Sequence, residues 1–211
     1  MLKRAADDVR HLLGRGYPKE SAIRFVADHY RLPEWQRYAL VRVIIPSAQA
    51  SSRKAKLVSP GALNRKEILI DGYNVLITVE SILEGCPVYL CDDRLLRDIR
   101  GIFRKYRPSE ITDQALSEII DLLASVEPAR VEFLLDQQIS MSGSLASHIR
   151  EMMSVREIPG TARTEMNVDH NLKIAKEIVA TSDGNVIDKV CFVVDIPMEI
   201  ARRKMIEPLI V

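Results

Sequence analysis

Apolar positions in the first 45 residues recur at helical spacing and are interrupted by glycine and proline. One apolar stripe runs from Leu2 to Leu13, and Gly14 follows it as a stop signal. Pro18 and Pro33 can each open a further helix at its first position. The pattern therefore predicts a small module of three short helices.

From Glu67 onward, short apolar runs end in polar residues and alternate with helical stretches. Near-continuous apolar runs are typical of parallel strands whose two faces are both buried. The sequence therefore predicts an α/β fold with a largely parallel sheet flanked by helices. Strands are predicted at ILI before Asp71, VYL before Cys91, VEFLL before Asp136, EIVAT before Ser182 and VCFVV before Asp195. Helices are predicted from about Asn74, over 93–106 and over 112–126, the last two forming a two-helix crossover.

The chain divides into two parts of opposite charge. Residues 46–60 are small, polar and basic without an apolar period, which predicts an exposed linker or arm. Residues 1–66 carry 14 basic and 5 acidic side chains, whereas residues 67–211 carry 16 and 24. We therefore predict a basic helical module over 1–58 and an acidic α/β domain over 67–211. Such a pair suits a metal-dependent enzyme acting on a polyanion, although the opposite charges could instead dock the two parts together.

Composition and motifs argue against several classes of protein. The chain of 211 residues is 47 % hydrophobic and 28 % charged, which excludes a membrane-spanning or a fully disordered protein. Its 3 cysteines include no C-x-x-C pair, so no disulfide framework or zinc knuckle is indicated, and a cytoplasmic location is expected. The sequence also lacks the glycine-rich phosphate loops of ATPases and dehydrogenases and the serine-hydrolase elbow.

Three predicted strands run into an acidic residue. Asp71 follows ILI, Asp136 follows FLL, and Asp183 follows the strand that ends in VATS. Because the carboxyl ends of parallel strands share one edge of the sheet, we expect these carboxylates to lie close together. Mg²⁺ or Mn²⁺ would offset their repulsion and could activate a water for attack on phosphorus. The alternative is that each aspartate only caps the helix or turn after its strand.

Two segments resemble motifs of the NYN and PIN nuclease superfamily. IDGYNVL at 70–76 is similar to its opening motif, and VDHNLKIAKEIVATSDGNVID is similar to its closing pattern of a short helix opened by aspartate and a strand ending in Thr-Ser-Asp. The resemblance implies a PIN-like sheet and catalytic, metal-binding carboxylates at Asp71, Asp169 and Asp183. Asp136 would be a fourth metal ligand. Three polar residues would orient the substrate or align a metal-bound water or phosphate: Asn74, Thr181 and Ser182.

Nearly the whole chain also resembles an uncharacterised archaeal family, the domain-of-unknown-function family numbered 434. The segments that carry this resemblance are LLGRGYPKESAIRFVADHYRL, CDDRLLRDIRG, LLDQQISMSGSLA and ATSDGNVID. The resemblance implies a two-part architecture and supplies no established activity.

Two further clusters are candidates for the site. Asp93 and Arg97 lie one helical turn apart and could form an exposed ion pair; alternatively, Asp93 joins the metal ligands and Arg97 contacts a phosphate, if VYL reaches the same sheet edge. Ser140 and Ser142 lie in a hydroxyl-rich turn that opens a helix. Backbone N–H groups there could bind the scissile phosphate, or a serine could simply cap the helix.

These features predict a divalent-metal-dependent nuclease, with RNA as the favoured substrate and Mg²⁺ or Mn²⁺ as the cofactor. Arginines of the basic module would contact phosphates while Tyr17, Tyr30 and Tyr38 stack on unpaired bases; alternatively, these aromatics and Trp35 pack a small core. Two other functions stay open: a non-catalytic nucleic-acid-binding adaptor with a PIN-like fold, and a phosphohydrolase of small esters. The sequence indicates no membrane partner and is compatible with a homo-oligomer.

Overall fold

The computed structural model describes residues 1–103 and 106–211 of the chain. Its helices are α1 (Leu2–Gly14), α2 (Lys19–His29), α3 (Glu34–Val43), α4 (Ser47–Lys54), α5 (Gly72–Leu83), α6 (Glu110–Val126), α7 (Ser142–Val155), α8 (Val168–Lys173), α9 (Gly184–Ile187) and α10 (Ile196–Arg203). Its strands are β1 (Leu57–Val58), β2 (Glu67–Asp71), β3 (Val88–Leu90), β4 (Leu96–Asp98), β5 (Arg130–Asp136), β6 (Gly160–Glu165), β7 (Ile178–Ala180) and β8 (Val193–Val194).

A six-stranded parallel sheet forms the centre of the molecule, in the order β1-β8-β7-β2-β5-β6. Strand β2 lies in the middle, where Ile70 is paired with Phe133 of β5 on one side and with Ala180 of β7 on the other. The predicted α/β class and parallel sheet are therefore confirmed. The carboxyl ends of β2, β5 and β7 lie along one edge, where ligands bind in folds of this kind.

Alternate residues of the central strands are buried in two different clusters, because side chains along a strand point to opposite faces. Ile68 and Ile70 pack with α5, α6 and α7 on one face. Leu69 and Leu134 pack with residues of α8 and α9 on the other. Both faces are covered by helices, which explains why these strands read as continuous apolar runs.

The four N-terminal helices pack against the rest of the chain rather than standing apart from it. Their buried residues share one apolar cluster with Tyr89, Cys91 and Val211. Arg10 of α1 donates to the carboxylate of Asp92 at 2.7 Å and to the carbonyl of Val211 at 2.7 Å. The helices therefore rest on the β3 region and on the C-terminal residues.

The prediction of an exposed linker over 46–60 is wrong. Residues there form helix α4 and strand β1, and β1 pairs in parallel with β8 at the edge of the sheet. Arg53 on the inner face of α4 is buried in an ion-pair network with Asp93 and Asp188. A helix that buries an ion-paired arginine has no apolar stripe, so its sequence resembles a polar linker.

The prediction of a helix over 93–106 is also wrong within the described residues. Strand β4 runs from Leu96 to Asp98 and pairs antiparallel with β3. The predicted strand VYL exists as β3, but this two-stranded ribbon is separate from the parallel sheet, so β3 does not reach the same edge. Residues 104 and 105 of the predicted helix lie outside the described residues. The second helix of the expected crossover, α6, is confirmed.

Strand β6 carries no sequence signal that predicts it. It is the edge strand beside β5, and among its residues only Ala162 is fully buried. Gly160 opens it with φ of 146°, and a Cβ atom there would lie 1.8 Å from the carbonyl oxygen of Val131. The strand is thus polar because it lies at the edge, and it begins at a glycine because its partner backbone passes too close for a side chain.

Candidate functional site

A cleft of about 980 Å³ opens at the carboxyl edge of the sheet. Four of the predicted aspartates line it: Asp71 at the end of β2, Asp136 at the end of β5, Asp169 in α8, and Asp183 after β7. These residues are spread over more than a hundred positions of the sequence, and the parallel sheet brings them to one cavity. Asp98 from β4 lines the same cleft.

Asp71 is buried at the base of the cleft, with 7 % of its surface exposed. The hydroxyl of Thr181 donates to its Oδ2 atom at 2.8 Å. Burial, together with the negative charges of Asp183 and Asp169, raises the pKa of Asp71 to about 7 despite the opposing effect of the Thr181 hydrogen bond. Asp71 is therefore a carboxyl group whose ionised form lacks a compensating positive charge.

The loop after β7 is fixed by hydrogen bonds from two sides. Asn74 of α5 accepts from the backbone N–H of Ser182 at 2.8 Å and from its hydroxyl at 2.9 Å, through a single oxygen, Oδ1. Arg97 donates to the carbonyl of Ser182 at 2.8 Å. Asn74, Thr181 and Ser182 thus hold the loop and Asp71 in position, and of these three only Asn74 lines the cleft.

Asp93 and Arg97 do not line the cleft. They form a buried pair in which Arg97 donates from both terminal nitrogens to Asp93 at 2.7 Å, so the expected exposed ion pair is instead fully enclosed. Arg53 of α4 lies 3.4 Å from Asp93 and binds Asp188 at 2.7 Å. A Cβ atom on Gly184 would lie 2.4 Å from the Arg53 guanidinium, so a side chain at this position would displace the guanidinium from its ion pairs. The network joins α4 to the loop that carries Asp183.

The remaining aspartates each have a local partner. The side chain of Asp183 caps α9 by accepting from Asn185 N–H at 2.8 Å, and Asp136 accepts from Gln138 N–H at 2.8 Å. Asp169 lies 3.5 Å from Lys173. Capping is thus one role of Asp183, whereas Asp71 makes no such side-chain bond to α5.

The donor set of the cleft suits a hard cation, since carboxylate oxygens are the ligands that Mg²⁺ and Mn²⁺ prefer. A cation would also offset the negative charges of Asp183 and Asp169 that add to the effect of burial on the pKa of Asp71. Within residues 1–103 and 106–211, however, no three His, Cys, Asp or Glu side chains stand close enough to hold a metal ion together. Water molecules would therefore have to complete its coordination, as is usual for Mg²⁺.

Ser140 and Ser142 do not line the cleft. Ser142 is buried at the first position of α7, and Ser140 is exposed. Their neighbours Gln138 and Ile139 line it instead. The turn after β5 therefore borders the cleft through residues that the hydroxyl pattern did not single out.

Several lining residues were not predicted as part of the site. Tyr73 is buried between the positions of Asp71 and Asn74 in the IDGYN motif, and its hydroxyl has no hydrogen-bond partner among the described residues. Burial, with the charge of Asp136, raises the pKa of Tyr73 to about 12. Arg42 and Tyr38 reach the cleft from α3 of the N-terminal helices. Only the docking of those helices brings α3 there, and no local pattern in the sequence predicts that docking.

Comparison with known proteins identifies relatives along the whole chain. The family model described as "Domain of unknown function (DUF5616)" matches residues 60–199. The chain belongs to this family. The "Protein of unknown function (DUF434)" model matches residues 1–56 ahead of the DUF5616 segment, so the expected resemblance to family 434 covers the N-terminal helices rather than nearly the whole chain.

A relative of the full chain is an uncharacterised protein of Methanocaldococcus jannaschii. It is 38 % identical over 200 residues, which cover 94 % of this chain and 95 % of the relative. The similarity therefore extends over both the segment matched by the DUF434 model and the segment matched by the DUF5616 model. No solved structure matches the chain. Among the described residues, no helix has both the length and the apolar character needed to cross a membrane.

Proposed function

We propose that this protein is a divalent-metal-dependent nuclease that hydrolyses phosphodiester bonds, with RNA as its favoured substrate. The observation that carries the proposal is the lining of one cleft by Asp71, Asp136, Asp169 and Asp183. The raised pKa of Asp71, caused by burial and by the charges of Asp183 and Asp169, supports a shared electrostatic site. The resemblance of two segments to the NYN and PIN nuclease superfamily supports the same reaction and a PIN-like sheet.

In this proposal Asp71, Asp169 and Asp183 would be the cation's ligands, with Asp136 as a fourth, some of them acting through the water molecules that complete its coordination. When bound at these carboxylates, Mg²⁺ or Mn²⁺ would supply an activated water and would offset negative charge on the phosphoryl oxygens. Thr181 keeps the Asp71 carboxylate in one orientation through its hydrogen bond. Arg42 and Lys173 line the same cleft and supply positive charge for the phosphates beside the scissile bond.

The open side of the cleft favours a polymer over a small phosphate ester. Its volume of about 980 Å³ lies at the upper end of the range for sites that enclose a single small ligand. The cleft is open at the carboxyl edge of the sheet rather than enclosed. The open side leaves room for a nucleotide chain to extend beyond the cleft, whereas a phosphohydrolase of small esters would be expected to have a closed pocket.

A second candidate function is a non-catalytic nucleic-acid-binding adaptor. The observation that favours it is the lack, among the described residues, of three side chains already close enough to hold a metal ion. Such a protein would bind RNA with a steep dependence on salt and would cut nothing in any divalent metal.

The deciding experiment is a cleavage assay on labelled single-stranded, duplex and hairpin RNA and DNA, with Mn²⁺, with Mg²⁺ and with chelator. The proposal predicts cleavage of RNA that requires the metal and is lost in the Asp71→Asn protein. Asp121→Asn is the matched control, because Asp121 is an exposed aspartate of α6 that pairs with Arg156 and does not line the cleft. Binding without cleavage would favour the adaptor, and equal cleavage by a folded Asp71→Asn protein would overturn the proposed site.

A further inference from the structure

An exposed row of aromatic side chains leads from the surface of α3 into the cleft. We define the aromatic track as Trp35, Tyr38 and Phe103, which are 52 %, 36 % and 40 % exposed. Tyr38 and Phe103 both line the cleft. The alternative that Trp35 and Tyr38 pack the core of the N-terminal helices is wrong, since that core contains neither residue.

Helix geometry places the track on the side of α3 that faces the cleft. Trp35, Tyr38 and Arg42 are spaced at i, i+3 and i+7, so they lie along one stripe of the helix. The opposite flank of α3 faces α2, where Arg37 pairs with Asp28. The stripe therefore leads toward the aspartates rather than toward another helix.

The track continues inward to the predicted metal ligands. A Cβ atom on Gly101 would lie 3.7 Å from the ring of Tyr38, so the Tyr38 ring rests against the loop that carries Phe103. The ring of Phe103 meets that of Tyr73 edge-on, with centroids 6.0 Å apart. Tyr73 lies two residues after Asp71 in the chain, and its buried hydroxyl has no partner among the described residues. An extended ligand lying on the track would thus end beside Asp71.

We infer that the aromatic track binds the unpaired bases of single-stranded RNA and guides the strand to the aspartates. Exposed aromatic rings stack on any base, and unpaired bases are the only part of a nucleic acid that can reach them. Arg42 and Lys173 in the cleft attract the phosphates of the same strand. Gln138 and Asn167 line the cleft with exposed amides that can bond to ribose hydroxyls. The choice of RNA rests on the proposed function.

The fluorescence of Trp35 provides a direct measure of binding to the aromatic track, because the chain contains a single tryptophan. The full-length protein is titrated with single-stranded oligouridylate in chelator, so that no metal-dependent cleavage occurs. We expect the fluorescence of Trp35 to be quenched by the single strand and to remain unchanged with an RNA duplex. Quenching by the duplex to the same extent would overturn the proposal.

Variants test whether the track carries the affinity. Binding of a fluorescently labelled oligouridylate, measured by anisotropy in chelator, should weaken about tenfold in Trp35→Ala and in Tyr38→Ala. Phe25→Ala is the matched control, since Phe25 is an aromatic of the same helical module, 67 % exposed, that does not line the cleft. Unchanged affinity in both track variants, an equal loss in Phe25→Ala, or tighter binding of single-stranded DNA than of RNA would overturn the proposal. If wild-type protein binds in this way but cuts no RNA with Mg²⁺ or Mn²⁺, the track stands and the proposed nuclease fails.

Discussion

Ionisation of the buried Asp71 carboxyl group lowers the free energy of unfolding of the metal-free protein. Its folded-state pKa of about 7 lies well above the unfolded value, because burial and then the charges of Asp183 and Asp169 disfavour the carboxylate. The stabilising contribution of the protonated carboxyl group is fully present below the unfolded pKa. This contribution is lost as the pH rises through the folded pKa. In the absence of divalent metal, the free energy of unfolding therefore falls progressively from about pH 4 to about pH 8.

We therefore predict that Asp71→Asn stabilises the metal-free protein at alkaline pH. The neutral amide removes the buried charge, and its oxygen can still accept from Thr181. Urea unfolding in chelator should show a gain of about 1 to 3 kcal/mol near pH 8 and a much smaller one near pH 4. Asp121→Asn, on an exposed pair, should change the free energy of unfolding by less than about 0.5 kcal/mol at either pH. A loss of stability at alkaline pH in Asp71→Asn would contradict this account.

Two buried tyrosines in contact with each other make a second test at the residue scale. Tyr73 and Tyr106 have ring centroids 5.2 Å apart, yet among the described residues only Tyr106 has hydrogen-bond partners, Glu80 and Thr112. Tyr73→Phe should leave the free energy of unfolding unchanged or higher, whereas Tyr106→Phe should lower it by about 1 to 3 kcal/mol. Equal destabilisation by the two changes would show that Tyr73 has a partner.

Among the elements, the ion-pair network of Arg53, Asp93 and Arg97 joins three segments that are distant in sequence: α4, the β3–β4 ribbon and the loop after β7. Asp93 and Arg97 are almost fully buried. Removing one partner of such a network leaves a buried charge without compensation, which is far more destabilising than loss of a surface pair.

Asp93→Ala should accordingly lower the free energy of unfolding by about 3 to 5 kcal/mol in a denaturant titration. Asp121→Ala breaks the exposed pair with Arg156 and should cost less than about 1 kcal/mol. A near-neutral result for Asp93→Ala would mean that water reaches Arg97. Because Arg97 also binds the carbonyl of Ser182, a folded Asp93→Ala protein is expected to have a more mobile loop after β7.

The same network explains how far the elements could be predicted from the sequence. Strands β2, β5, β7 and β8 were predictable because burial on both faces leaves a continuous apolar run, and three of them lead to the aspartates of the cleft. Helix α4 and strand β4 were not, since Arg53 and Arg97 are buried through charge pairing rather than apolar packing. Edge strand β6 is too polar to give a signal. The spacing of apolar residues along a sequence predicts which apolar side chains are buried, but it does not predict buried ion pairs.

The candidate site was predictable only in part for a similar reason. A parallel sheet places the residues after its strands at one edge, so the meeting of Asp71, Asp136 and Asp183 follows from local sequence and topology. The entry of Tyr38 and Arg42 depends on how α3 packs against the loop after β4, which is a long-range contact. No local pattern in α3 specifies that contact.

For the whole molecule, the shared core between the N-terminal helices and the α/β part has a consequence for unfolding. The cluster that contains Ala5, Val26 and Leu40 also contains Tyr89 and Val211, so separating the two parts would expose apolar surface on both. Exposure of that surface, together with loss of the Arg10–Asp92 bond, makes an intermediate with only one part folded unfavourable.

We therefore predict that the protein unfolds in one cooperative transition, despite two family models that divide the chain near residue 58. Trp35 fluorescence reports on the N-terminal helices alone, and far-UV circular dichroism reports on all helices. The two signals should give the same urea midpoint within error. Ala5→Asp, which buries a charge in the shared cluster, should lower both midpoints together, whereas Asp7→Ala on the exposed face of α1 should leave them in place. Separate midpoints in the wild type would mean that the N-terminal helices are an autonomous unit and that the cleft wall formed by Tyr38 and Arg42 can detach.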